Sequence, residues 1–189
     1  MTCDGPFRVL GGLVLLTGIA LYGCNSGKPS ADLEPSDELK RILGADTIAV
    51  LTSANEVETY RIDHESYLPE KRKREGERIN GFLVTRKGET QGSAFAAKLR
   101  TILLQDSAYN GDRAKCFDPG VAYRFKSGER TVEVAICFMC NNLDVRPNLK
   151  NQGEFLEIGG FSKSVRAQLL ALTKEAFPDD SEIQAIAEK

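Results

Sequence analysis

VAYRFKSGERTVEVAICFMC, residues 121–140, is the stretch on which the fold turns. Two runs rich in β-branched and aromatic residues, 121–125 and 131–138, flank Lys126, Ser127, Gly128 and Glu129, a set suited to a hairpin turn. Setting Phe125 against Arg130 places Tyr123 opposite Val132 and Val121 opposite Val134. Side chains alternate between the sides of a strand, so Val121, Tyr123, Val132, Val134 and Ile136 share one apolar face. The other face carries Ala122, Arg124, Thr131, Glu133, Ala135 and Cys137. There Arg124 and Glu133 can pair across strands, a modest surface contribution.

Working outward, the sequence alternates strand-like and helix-like segments. Ser36 stands where an N-cap should, Leu39, Ile42 and Leu43 share a helical face, and Gly44 suits the stop. β-branched residues over 47–52 and 57–62 predict a first hairpin, and 79–86 a further strand. Ser93 can cap a helix carrying Phe95, Leu99, Ile102 and Leu103. Strands are then expected at 114–117, 121–125, 131–138, 143–145 and 154–158. A second amphipathic helix spans 162–177, with Val165, Leu169, Leu172 and Ala176 on one side and Pro178 closing it. The order predicts one α+β domain over 35–189, an antiparallel sheet with helices packed on one face.

Composition bounds the rest. A chain of 189 residues with 41% hydrophobic side chains can bury one good core. With 25 basic and 27 acidic side chains the net charge is −2, which gives no general attraction to nucleic acid. The charged run EKRKREGER, 70–78, reads as a solvated loop. A sharper reading has Lys71, Arg72, Lys73 and Arg74 touch anionic lipid headgroups.

The N-terminus reads as an address. Arg8 precedes an uncharged, mostly apolar run, 9–23, of signal-peptide length and short for a membrane span. Leu21, Tyr22, Gly23 and Cys24 resemble the lipobox of bacterial lipoproteins. The resemblance implies a signal peptide over 1–23, cleavage before Cys24, and acylation of that cysteine, palmitate-type chains included. Two or three chains, at about 0.8 kcal/mol per buried methylene, make such an anchor effectively permanent. Residues 24–34, polar and rich in Gly, Pro and Ser beyond Cys24, read as a flexible tether. The address implies export and attachment to a bacterial cell-envelope membrane.

Three cysteines remain in the body. Extended past Gly120, the hairpin register puts Cys116 on the same face as Cys137 and diagonal to it. In an exported domain this favours a Cys116–Cys137 disulfide, with Cys116–Cys140 as the alternative. Cys137 and Cys140 can converge only where the strand ends in a turn. If it does, they open two further readings: a thiol-redox pair, or a zinc site of Cys116, Cys137, Cys140 and His64. His64 is the single histidine of the chain.

CFDP at 116–119 and VAICFMC at 134–140 resemble the core of an uncharacterised bacterial envelope family that carries CFxP followed by a strand ending ICFxC. The resemblance covers roughly 46–177 and implies recurrence of the architecture and cysteines, with no activity attached. Its members often have Arg-His after the proline, where this chain has Gly120 and Val121. No Gly-rich phosphate loop, H-E-x-x-H helix or G-x-S-x-G elbow occurs in the sequence. The combined expectation is a non-catalytic binding or structural domain without a cofactor, its partner protein or small molecule undefined. Metal-binding or thiol-redox chemistry at the cysteines is the alternative.

Overall fold

The structure, a computed structural model, describes residues 34–112, 114–148 and 160–188. The expected leader over 1–23, Cys24 and the expected tether up to 33, and the strand expected over 154–158, lie outside these residues.

Helix α1 (Asp37–Leu43) begins at Ser36, whose hydroxyl accepts the Leu39 N–H at 3.0 Å. Asp37 and Glu38 in its first turn and Lys40 and Arg41 in its last complement the helix dipole. Gly44, at φ 75°, ends α1 and starts α2 (Ala45–Ser53). The hairpin expected over 47–52 and 57–62 therefore does not form. Thr47, Val50, Leu51 and Ala54 are buried at helical spacing, and burying that stripe outweighs the β preference of the branched residues.

Strand β1 (Val57–Asp63) follows, then a 3-10 turn at His64–Tyr67 and the charged loop. The strand expected over 79–86 is a tight hairpin, β2 (Arg78–Ile79) and β3 (Phe82–Lys87). Asn80 and Gly81, at φ 50° and 86°, make its turn. Asn-Gly is the pair that a two-residue hairpin turn with left-handed backbone demands. Helix α3 (Ser93–Leu103) starts one residue earlier than a Ser93 cap requires, since Gly92 holds the cap position and no side chain caps it. Residues 114–117 form no strand.

The hairpin that opened the sequence is present as β4 (Val121–Ser127) and β5 (Arg130–Cys137), followed by β6 (Asn142–Asn148). Its register differs from the expected one by two residues: Ser127 faces Arg130, Phe125 faces Val132 and Tyr123 faces Val134. An even shift leaves every side chain on its predicted face.

The sheet is antiparallel with strand order β2-β3-β1-β4-β5-β6. Helix α4 (Lys163–Ala176), capped by Ser162, and the short α5 (Ser181–Gln184) complete the chain. Leu39, Leu51, Leu99, Leu103, Leu169 and Leu172 of the helices pack with Val121, Tyr123, Phe125, Val132, Val134 and Ile136 of the sheet. Each such buried aliphatic or aromatic side chain contributes about 1.5–3 kcal/mol. The domain is thus α+β, with a helical layer on one sheet face.

On the opposite face Tyr60, Ile62, Ala122 and Ala135 pack with Ile79 and Phe82. Ile79 and Phe82 belong to the β2–β3 end, two or more strands away in the sheet order, so the sheet must curl to bring them over Ala122 and Ala135. The described residues cluster as one compact unit.

Candidate functional site

Strand β5 ends at Cys137 and the chain reverses through Phe138, Met139, Cys140 and Asn141 before Asn142 pairs back with Cys137. Asn141 takes φ 52°, a left-handed conformation that asparagine tolerates better than most residues. The reversal carries Cys140 back toward the strand end. Cys137 and Cys140 stand at disulfide distance, with Cα atoms 5.7 Å apart, and the Cys140 N–H points at Cys137 Sγ at 3.3 Å. Both residues are buried, Cys137 completely.

The expected pairing of Cys116 with Cys137 or Cys140 is replaced by this one. Cys116 sits outside the β4–β5 ladder, exposed and free, because 114–117 leaves the sheet and no register places its side chain opposite Cys137. Its backbone still runs beside the site: Asn142 Nδ2 donates to the carbonyls of Ala114, at 3.0 Å, and Cys116, at 3.1 Å. His64 is exposed in the turn after β1. Among the described residues, no His, Cys, Asp and Glu side chains form a group of three or more that could hold a metal ion. The set Cys116, Cys137, Cys140 and His64 is thus not gathered.

Arg166, on α4, braces the turn. Its Nη1 donates to the Phe138 carbonyl and to Asn141 Oδ1, the latter at 2.8 Å, and Nη2 donates to the Ala187 carbonyl at 3.1 Å. The guanidinium lies 5.6 Å from the centroid of the Phe138 ring, a cation–π approach. Burial lowers its pKa from the ordinary arginine value. No carboxylate pairs with it among the described residues, and its buried Nε has no partner. Sequence reading passed over Arg166. The available signal was a cation directly beside the Val165–Leu169–Leu172 stripe of an amphipathic helix.

A second polar site lies on the curled face. Tyr60 donates its hydroxyl to Glu58 Oε2 at 2.7 Å and accepts from Arg124 Nη1 at 3.0 Å. Arg124 also meets Glu77 at 2.6 Å and Glu133 at 2.9 Å, and Glu133 Oε2 accepts the Asn80 N–H at 2.8 Å. Lys126 and Lys87 approach Glu58 at 2.8 and 3.2 Å. Burial alone would raise the Glu58 pKa, but hydrogen bonds from Lys126, Tyr60 and Lys87 outweigh it and hold the carboxyl at about 2. Burial and the Glu58 hydrogen bond raise the Tyr60 pKa. The predicted Arg124–Glu133 pair is present, and it belongs to a largely buried network rather than to the surface.

At the other end of β1, Arg61 and Arg86 both contact Asp180, at 3.1 and 2.5 Å, in a shallow cleft beside Glu182. These charges are mutually paired. Among the described residues no helix is long and apolar enough to cross a membrane.

The class these features define is a single-domain α+β protein on a curled antiparallel sheet, with a Cys-x-x-Cys turn at one strand end. Comparison with protein-family models, curated proteins and solved structures finds no match for the chain.

Proposed function

We propose that this chain is an exported lipoprotein, held at a bacterial envelope membrane by acylated Cys24, whose folded domain acts there as a non-catalytic binding or structural module. The observation that carries the reading is Leu21-Tyr22-Gly23-Cys24 at the end of an apolar run too short to span comfortably. The Cys137–Cys140 pair supports it, since a covalent bond between these sulfurs persists in an oxidising compartment outside the cytosol. The polar groups of the curled face support the non-catalytic role: Glu58, Tyr60, Arg124 and Glu133 bind one another. The resemblance of 116–140 to the CFxP…ICFxC envelope family is part of the same proposal.

Intact-mass analysis of the protein extracted from bacterial membranes tests it. The expected species begins at Cys24 and carries the added mass of a diacylglyceryl group and an acyl chain, and Cys24→Ala abolishes both processing and acylation. A chain still beginning at Met1, with the same mass and membrane partition in Cys24→Ala, would sink the anchor.

A further inference from the structure

We propose that the Cys137–Cys140 turn is a thiol–disulfide exchange site, in which Cys140 is the sulfur attacked by a partner dithiol, Cys137 is the leaving thiolate, and Arg166 is the positioning residue that favours the reduced form. The claim does not depend on the membrane anchor, and it replaces the non-catalytic role proposed for the domain with a redox one.

Three independent observations carry it. The turn is held by contacts other than a sulfur–sulfur bond: Arg166 grips Phe138 and Asn141, the Phe161 N–H donates to the Asn141 carbonyl at 2.7 Å, and Asn142 pairs with Cys137. The bond can therefore open without the turn unravelling.

The two sulfurs are also unequal. Cys137 is a fully buried residue whose Sγ already receives the Cys140 N–H, whereas Cys140, also buried, keeps 7% of its residue surface exposed and its sulfur receives no such donor among the described residues. A donor aimed at sulfur stabilises a thiolate more than a neutral sulfur, because a hydrogen bond to a charged acceptor is the stronger one. Arg166 adds a buried positive charge that faces no carboxylate among the described residues. Arg166 holds the Phe138 carbonyl and Asn141 Oδ1, the residues flanking Met139 and Cys140, so a thiolate formed in this turn acquires a cation bound to the same turn.

The third observation is Met139, between the two cysteines and 80% exposed. A large apolar side chain so placed offers an incoming protein a soft, adaptable contact at the point of attack.

The step balances as follows. A partner thiolate bonds to Cys140 Sγ as the Cys137–Cys140 bond breaks, and Cys137 leaves as a thiolate. The partner's second thiolate then attacks the partner sulfur of that mixed disulfide and releases Cys140. Two electrons pass from the dithiol to the pair, the partner ends as a disulfide, and its two protons are available to Cys137 and Cys140.

The test is a titration of the folded full chain in detergent against reduced and oxidised dithiothreitol at about pH 8, near the ordinary thiol pKa. Samples are acid-quenched, alkylated and read by mass spectrometry of the peptide holding Cys137 and Cys140. The expected result is a reversible two-electron transition with circular dichroism unchanged. Arg166→Met should shift the equilibrium toward the disulfide about tenfold, roughly 30 mV more negative, while Arg166→Lys stays near the wild type. Should Arg166→Met not fold, Arg166→Gln reads the same loss of charge while keeping a donor for the Phe138 carbonyl. A pair that stays oxidised until the chain unfolds overturns the exchange site, and a wild-type potential in the neutral variants overturns the role of Arg166.

Discussion

Arg124 and Glu133 stand directly opposite each other on β4 and β5, with Nη2 and Oε1 2.9 Å apart. The same row runs on to Glu58 on one side and Arg146 on the other, so four neighbouring strands present Glu, Arg, Glu and Arg in line. Alternation places each inner charge between two of opposite sign, which compensates the desolvation that burial imposes.

Removing one member of that row leaves its partner buried and unpaired, so the losses from removing two should not add. Arg124→Ala leaves Glu133 and Glu77 without their shared cation, and the expected loss is about 3–5 kcal/mol in urea denaturation. Arg124→Met combined with Glu133→Leu should cost clearly less than the sum of the single changes, the coupling expected of charges in contact. Strict additivity in that double-mutant cycle would refute the network.

Acid should unfold the domain through Glu58. Its folded pKa, about 2, lies below the ordinary glutamate value, so the folded state binds a proton less readily than the unfolded chain. The stabilisation is present in full above about pH 4.5 and disappears as pH falls toward 2, a difference on the order of 3 kcal/mol. Stability measured across that window should fall steeply in the wild type and more shallowly in Glu58→Gln.

Tyrosine absorbance offers an optical check on the core. Burial raises the pKa of Tyr109, burial also dominates at Tyr123, and at Tyr60 burial is joined by the Glu58 hydrogen bond. In the folded protein these phenols should not ionise in the ordinary range near pH 10, and their phenolate signal should appear together with loss of circular dichroism. Ionisation of all tyrosines before unfolding would contradict the packing.

The Asn80–Gly81 turn is testable without disturbing a contact. A Cβ on Gly81 meets nothing within 4 Å, so Gly81→Ala reports backbone conformation alone. At φ 86° an L-residue is strained, and the expected destabilisation is about 1–2 kcal/mol. An unchanged denaturation midpoint would mean the hairpin turns elsewhere.

The face assignment of residues 121–137 was legible in the sequence because alternation in a strand is a local property. It survived a two-residue error in register, since parity alone decides which side a residue faces. The helices at Asp37–Leu43, Ser93–Leu103 and Lys163–Ala176 were legible for the same kind of reason, an apolar stripe repeating at helical spacing. Composition and order of elements then sufficed for an α+β domain.

Other features depended on tertiary structure. Residues 45–53 include the β-branched Thr47, Ile48, Val50 and Thr52, yet they fold as a helix because Thr47, Val50, Leu51 and Ala54 share a buried face only at helical period. The expected single strand over 79–86 passed over the Asn-Gly pair at 80–81, a local turn signal, and only the curl of the sheet shows why Ile79 and Phe82 are apolar: they cover Ala122 and Ala135 from the far end of the strand order. Register favoured Cys116 as the partner of Cys137, with Cys116–Cys140 as the alternative, and the structure pairs Cys137 with Cys140 instead. The choice fell to the left-handed Asn141 and to Arg166, a residue from another helix, which together bend the strand end back on itself. A periodic pattern records which face a residue shows, and its partner on that face is set by where the chain turns in three dimensions.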